Sequence, residues 1–438
     1  MVIYDIIYVI DESPSNHTTL EEHMKRSVGA ACAVSIIFSL CFVFAFAQNA
    51  GAEVTVKPWA QIFSHYQYNM SGYEDYDSRF DTNDHNNFDV SQARLWIDAS
   101  FNDQWSGRLV LYTARSPKLS YETTPITITE DDPTTEEDET ETVDAVTSIN
   151  QSNTGPYEAR LFYAYATYQP FQWLGLDFGL VQSAYLPMVY KFWKYRYVMK
   201  PYMFEYRLTR APGGDYGVAM HGNIPGGYGA YRVRVANGEG CNSVEENAGK
   251  SIEASVSLFP FQSVDALKGL GLYGMYRYDK AEPDYMEELI TVMDILLSYS
   301  LDINEQMGFS ANFEYGQRKV DTDDEDLDPN PVISLGYSAW ADIWFKKNAG
   351  LLFRYDFLDP NTENDKDLEN DEGLKTGGYQ DEMTMMMAGV YFNPIKQIRI
   401  FPNYRTYTYT AEIADDKDDM VTKQPDQFIF VNTEIKFK

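Results

Sequence analysis

From Val54 onward the chain is a succession of runs in which apolar and polar positions alternate. In Gln92–Phe101, Ala93, Leu95, Ile97, Ala99 and Phe101 share one face, and Gln92, Arg94, Asp98 and Ser100 share the other. Ser251–Leu258 sets Ile252, Ala254, Val256 and Leu258 against Ser251, Glu253, Ser255 and Ser257. The last run sets Ile429, Val431, Thr433, Ile435 and Phe437 against Asn432, Glu434 and Lys436. A period of two is that of a strand with one wet and one dry face. The connections are alternately tight, as at Asn102-Asp103 and Lys346-Lys347-Asn348, and long and polar. The pattern predicts an all-β chain: a transmembrane antiparallel β-barrel of about sixteen strands, with long extracellular loops and short periplasmic turns. In lipid only helices and closed barrels satisfy every backbone hydrogen bond, and no segment after residue 53 is apolar enough for a spanning helix. The pattern implies a pore in an outer membrane; a soluble, Tyr-rich β-sandwich is the alternative.

Residues 1–52 read differently. Met24-Lys25-Arg26 followed by the apolar stretch Val28–Ala47 has the basic start, apolar middle and small-residue end of an export signal. Cleavage after Ala52 is favoured over the Ala45-Phe46-Ala47 pattern and leaves Glu53 first. Met1–His23 carries acidic positions that do not suit such a start, so it reads as an upstream extension, with Met24 as the expected start. The expected layout is therefore 1–52 as extension and signal and 53–438 as one barrel in the cell outer membrane. Cys32 and Cys41 fall in the signal, which leaves Cys241 alone and no internal disulfide.

The formal net charge is −31, and it is unevenly placed. The loops near residues 70–86, 116–156, 319–331, 358–382 and 411–426 hold more than half of the acids, in runs such as Glu136-Glu137-Asp138-Glu139. Runs of this kind are solvated. Facing outward, they would hold divalent cations that bridge lipopolysaccharide, and they exclude a nucleic-acid partner. None has the spaced ligands and glycine of an EF-hand.

One loop runs against this trend. Gln182–Gly214 carries Lys191, Lys194, Arg196, Lys200, Arg207 and Arg210, with Glu205 as its acid before Gly214. It is dense in rings: Tyr185, Tyr190, Phe192, Trp193, Tyr195, Tyr197, Tyr202, Phe204 and Tyr206. So much apolar area favours burial over exposure in a solvated loop. Folded inward, it would set its cations at an aqueous constriction; packed over the rim, it would offer them to lipopolysaccharide phosphates. On the wall, parity points Arg94, Arg108, Arg160, Arg232, Arg234, Arg277, Arg354, Arg399 and Arg405 into the lumen. It also points Asp98, Glu158, Glu253, Glu314, Asp342, Asp356 and Glu434 inward, so many of these arginines are expected to neutralise a neighbour.

The stretches Phe88–Arg115 and Tyr157–Gly240 resemble the phosphate-selective porins O and P. The order is an arginine-bearing strand, a strand running into a Gly…Pro segment, a Gly-Val strand, then Asn-Gly after a Tyr-rich strand. The resemblance covers about the first half of the mature chain. It implies a homotrimer of sixteen-stranded barrels, with Arg94, Arg108, Arg160, Arg232 and Arg234 along an anion path that the loop cations narrow. The acidic outer loops depart from what an anion collector would show, and the chain ends Phe437-Lys438 rather than on the aromatic.

Catalytic chemistry is not legible. The five histidines are scattered, no metal-ligand spacing occurs, and no serine or threonine stands in a triad or phosphate-loop context. No enzyme, cofactor or metal is expected. Three classes remain: a passive channel preferring phosphate or other small anions, a general or cation-preferring porin, and a structural or adhesive surface barrel.

Overall fold

The computed structural model describes residues 54–70, 86–115, 118–130, 139–152, 157–209, 213–241, 248–281, 288–322, 332–345, 348–360, 362, 382–410, 412–414, 420–422 and 425–437. Residues 1–52, read from sequence as an upstream extension and export signal, lie outside them, as do Arg210 and much of the acidic loop sequence.

Sixteen antiparallel strands close into a barrel. They are β1 (Thr55–Asn69), β2 (Asn86–Ser100), β3 (Trp105–Arg115), β4 (Tyr157–Phe171), β5 (Leu174–Gln182) and β6 (Gly214–Ile224). Next come β7 (Gly229–Ala236), β8 (Ser251–Leu258), β9 (Leu270–Ala281), β10 (Glu288–Asp302) and β11 (Met307–Thr322). The ring ends with β12 (Val332–Phe345), β13 (Ala349–Asp359), β14 (Met383–Ile395), β15 (Ile398–Tyr409) and β16 (Asp426–Phe437). Each pairs with its successor, and β1 closes on β16 through pairs such as Ala60↔Phe437, Ser64↔Thr433 and Asn69↔Phe428. Closure leaves no strand edge, which is what a sheet in lipid requires. Two further hairpins, Lys118–Glu130 with Glu139–Ser152 and Glu412–Ala414 with Met420–Thr422, extend long loops.

The alternation predicted the outer face. Leu95, Val218, Val235, Ile252, Val256, Leu272, Ile295, Leu297, Phe313, Phe353, Val390 and Ile429 are exposed around the barrel. At the short-turn end the exposed rings include Trp105, Phe171, Trp173, Tyr228 and Phe345, with Phe171 and Trp173 stacked 5.3 Å apart. Such girdles mark the membrane–water boundary. Among the described residues no helix is long and apolar enough to cross a membrane.

The inner face departs from the simple expectation of polar inside. It holds for β7 and β8, where Arg232, Arg234, Ser251, Glu253, Ser255 and Ser257 are all buried within the lumen. From β9 to β16 the inner face is mixed: Tyr273, Met275, Ile290, Val292, Leu296, Trp340, Leu352, Met383, Met385, Met387 and Phe401 are buried inside alongside polar residues such as Arg354 and Asp356. The reason is the Gln182–Gly214 loop, which joins one apolar core with these apolar residues.

Candidate functional site

The loop leaves β5 and at once fastens to β8. The Ala184 amide donates to Glu253 at 2.6 Å, and the Ser255 hydroxyl donates to the Ala184 carbonyl at 2.7 Å. Pro187 helps to start a single helical turn, α1 (Leu186–Val189), in which Leu186, Met188 and Val189 are buried. Pro201 precedes a second, α2 (Tyr202–Glu205), which buries Tyr202 and Met203. Arg207, just past α2, has φ 56°, the left-handed residue that commonly ends a helix.

Across the lumen the loop meets the far wall through its rings. Trp193 is 1% exposed, packs edge-on against Trp340 at 5.5 Å and donates its ring N–H to the Met199 carbonyl. The Tyr185 hydroxyl donates to Glu314 at 3.2 Å, Tyr206 to Asp356 at 2.8 Å, and Tyr202 to the Phe357 carbonyl at 2.7 Å. Burying a phenol with its hydroxyl satisfied keeps the area gain without the penalty of an orphaned polar group. Close approach is needed where α2 lies on β11 and β12. A Cβ at Gly316 would overlap Met203, and one at Gly336 would overlap the Tyr202 hydroxyl and the Phe357 carbonyl. Gly336→Val should therefore lift α2 from the wall and cost about 1–3 kcal/mol by overpacking. Faster proteolysis within 183–213 reports this, and unchanged protection would contradict the packing.

Wall arginines hold this loop. Arg232 donates to the Gln182 carbonyl at 3.3 Å, Arg399 to that of Lys194 at 3.4 Å, Arg405 to that of Val198 at 2.9 Å and Arg354 to that of Lys200 at 2.9 Å. Most also face a carboxylate. Arg108 meets Asp98 at 2.6 Å, Arg160 meets Glu158 at 3.2 Å, Arg232 meets Asp177 at 2.8 Å and Arg234 meets Glu253 at 3.1 Å. Arg277 pairs with Asp279, Arg354 with Asp356 and Arg399 with Glu434. So four of the five arginines placed on an anion path by resemblance sit in ion pairs. Arg94 is different: its Nε donates to the Gln92 amide oxygen at 3.0 Å and its guanidinium lies over Phe162 at 5.0 Å.

Lys191 and Arg196 have neutral hydrogen-bond partners, while Asp342 lies near Lys194. Lys191 and Lys194 are exposed, and Lys191 donates to the Ser257 hydroxyl at 3.2 Å. Arg196 donates to the Tyr190 hydroxyl at 3.1 Å and to Gln92 at 3.2 Å, between the rings of Phe63 and Phe204. Lys200 lies over Phe204 at 5.2 Å, Arg207 is exposed, and Arg210 lies outside the described residues.

Two features escaped the sequence reading. One is the apolar inner wall, which the runs Ile290–Leu297 and Met383–Met387, apolar at almost every position, do signal. The other is the buried Asp177, which takes hydrogen bonds from Thr167 at 2.6 Å and Arg232 at 2.8 Å and contacts His221 at 3.2 Å. The Thr167 hydroxyl donates to the carboxylate rather than to the histidine. Among the described residues no three metal-ligating side chains come together.

No protein-family model matches the chain, and no curated protein matches it in sequence. Solved structures do. An anion-selective porin from Comamonas acidovorans superposes with a TM-score of 0.54 at 10% identity, over 88% of this chain and 100% of that one. OmpT, an outer membrane protein of Vibrio cholerae in its trimer form, gives 0.51 at 11% identity, over 88% and 99%. The fold is that of outer-membrane barrels. At these identities the likeness extends to the fold alone, and it does not establish the resemblance to porins O and P.

Proposed function

We propose that this chain is an outer-membrane porin for passive diffusion of small hydrophilic solutes, with a preference for small anions, phosphate among them. The observation that carries the reading is the distribution of compensated and uncompensated charge. Wall arginines are largely neutralised by carboxylates, whereas Lys191 and Arg196, on the loop that crosses the lumen, donate to neutral hydroxyl and amide groups, and Lys194 is exposed with Asp342 as an electrostatic neighbour. Cations at a narrow aqueous crossing favour anion passage. The fold likeness to an anion-selective porin supports the same reading.

Reversal potential across a planar bilayer in a potassium chloride gradient tests it. The expected sign is that of an anion-preferring channel. A cation-preferring sign would establish the general-porin alternative, and absence of conductance would favour a structural or adhesive barrel. The chain is further proposed to lose residues 1–52 on export and to assemble as a homotrimer among lipopolysaccharide. N-terminal sequencing of the membrane-extracted protein should begin at Glu53. A monomeric mass in mild detergent at every concentration would refute the trimer.

A further inference from the structure

We infer that Arg94 and Arg196 together form a binding subsite for a small oxyanion, such as a carboxylate, within the constriction, an inference that rests on the anion-channel reading. The two guanidinium groups converge on a single acceptor: Arg94 Nε donates to Gln92 Oε1 at 3.0 Å and Arg196 Nη2 to the same oxygen at 3.2 Å. Two like charges are thus held against one neutral amide, which repel unless an anion lies between them. Arg94 is 6% exposed, and its Nη2 is buried without a hydrogen-bond partner among the described residues. No carboxylate pairs with either group among those residues, in contrast to Arg108, Arg232 and Arg234.

The third group at the site is the Tyr190 hydroxyl. The Tyr190 hydroxyl accepts from Arg196 Nε at 3.1 Å, so its own O–H is left to donate elsewhere. The site is therefore rich in donors, with Gln92 Oε1 and the Tyr190 hydroxyl as its neutral acceptors, the composition that suits an anion. Its shape selects among anions. Phe162 covers a face of the Arg94 guanidinium, and Phe63 and Phe204 flank that of Arg196. With the faces covered, the in-plane N–H edges remain, and these match the paired oxygens of a carboxylate or phosphate better than a spherical halide.

Single-channel conductance of the full-length mature protein, measured with potassium acetate, chloride and phosphate in turn, tests the subsite. The acetate current should saturate at a concentration roughly tenfold below that for chloride, as a bidentate charge-assisted pair implies. Arg196→Lys and Arg94→Lys keep the charge but lose the fork. Each should lose the early acetate saturation. Arg196 is only half-buried, so its variant carries the test if Arg94→Lys fails to fold. An anion-preferring wild-type channel with acetate current linear to the chloride range would overturn the subsite alone. Saturation kept in the folded lysine variants would overturn recognition by the fork, and a cation-preferring or silent wild-type channel would overturn both this inference and the function on which it rests.

Discussion

Arg354→Met is expected to destabilise the barrel by about 3–5 kcal/mol, because it strands a buried carboxylate. The side chains of Arg354 and Asp356 are both 1% exposed, and Arg354 Nε meets Asp356 Oδ1 at 2.8 Å. Asp356 would keep hydrogen bonds from Ser338 at 2.6 Å and Tyr206 at 2.8 Å, but neither supplies a charge. The same guanidinium lies over Trp193 at 4.5 Å and holds the Lys200 carbonyl, so its loss also frees the loop at its middle. Thermal unfolding in detergent should fall, and proteolysis within 183–213 should accelerate. Adding Asp356→Asn to Arg354→Met should recover part of the loss, since the pair fails as a unit. Unchanged melting and unchanged protease resistance in the single variant would show that the loop is held by its rings alone.

How far such features can be read in advance depends on whether their partners are local. β8 is legible residue by residue, because its wet and dry faces alternate without exception from Ser251 to Leu258. The pairs Arg160 with Glu158, Arg277 with Asp279 and Arg354 with Asp356 are legible too, because positions two apart share a face. Arg234 with Glu253 is not, since it depends on the register that sets those residues opposite each other on β7 and β8. The least legible part is the inner wall. Ile290, Val292 and Leu296 on β10 are buried beneath a loop that lies far away in sequence, so strand parity alone marks them as misplaced. The bulge opposite Val110 and Leu111 in β3 is another such point: it lets the successive Phe162 and Tyr163 both be buried, and Phe162 is the ring beneath Arg94. The loop chemistry was visible as composition, but which of its cations remain uncompensated was fixed only by the wall.

Reversing those cations should have the largest effect on conduction. In the triple variant Lys191→Glu, Lys194→Glu and Arg196→Glu, the anion-to-cation permeability ratio should fall at least about tenfold, corresponding to ~1.4 kcal/mol. The net charge of −31 does not argue against this, because much of it sits in the long loops. Charges there are screened beyond about 8–10 Å at physiological salt. A charge in a narrow crossing with low-dielectric walls is screened far less, so a few local cations outweigh many distant carboxylates. The wild-type preference should accordingly weaken as salt rises, since even the crossing is partly screened at high ionic strength. None of the three side chains is fully buried, and Lys191 and Lys194 are exposed, so the substitutions should leave barrel yield intact. Reversal potential in a salt gradient reads the result directly. The same potential in variant and wild type, at equal yield of folded protein, would place the conduction path away from this loop and leave the general porin as the better account.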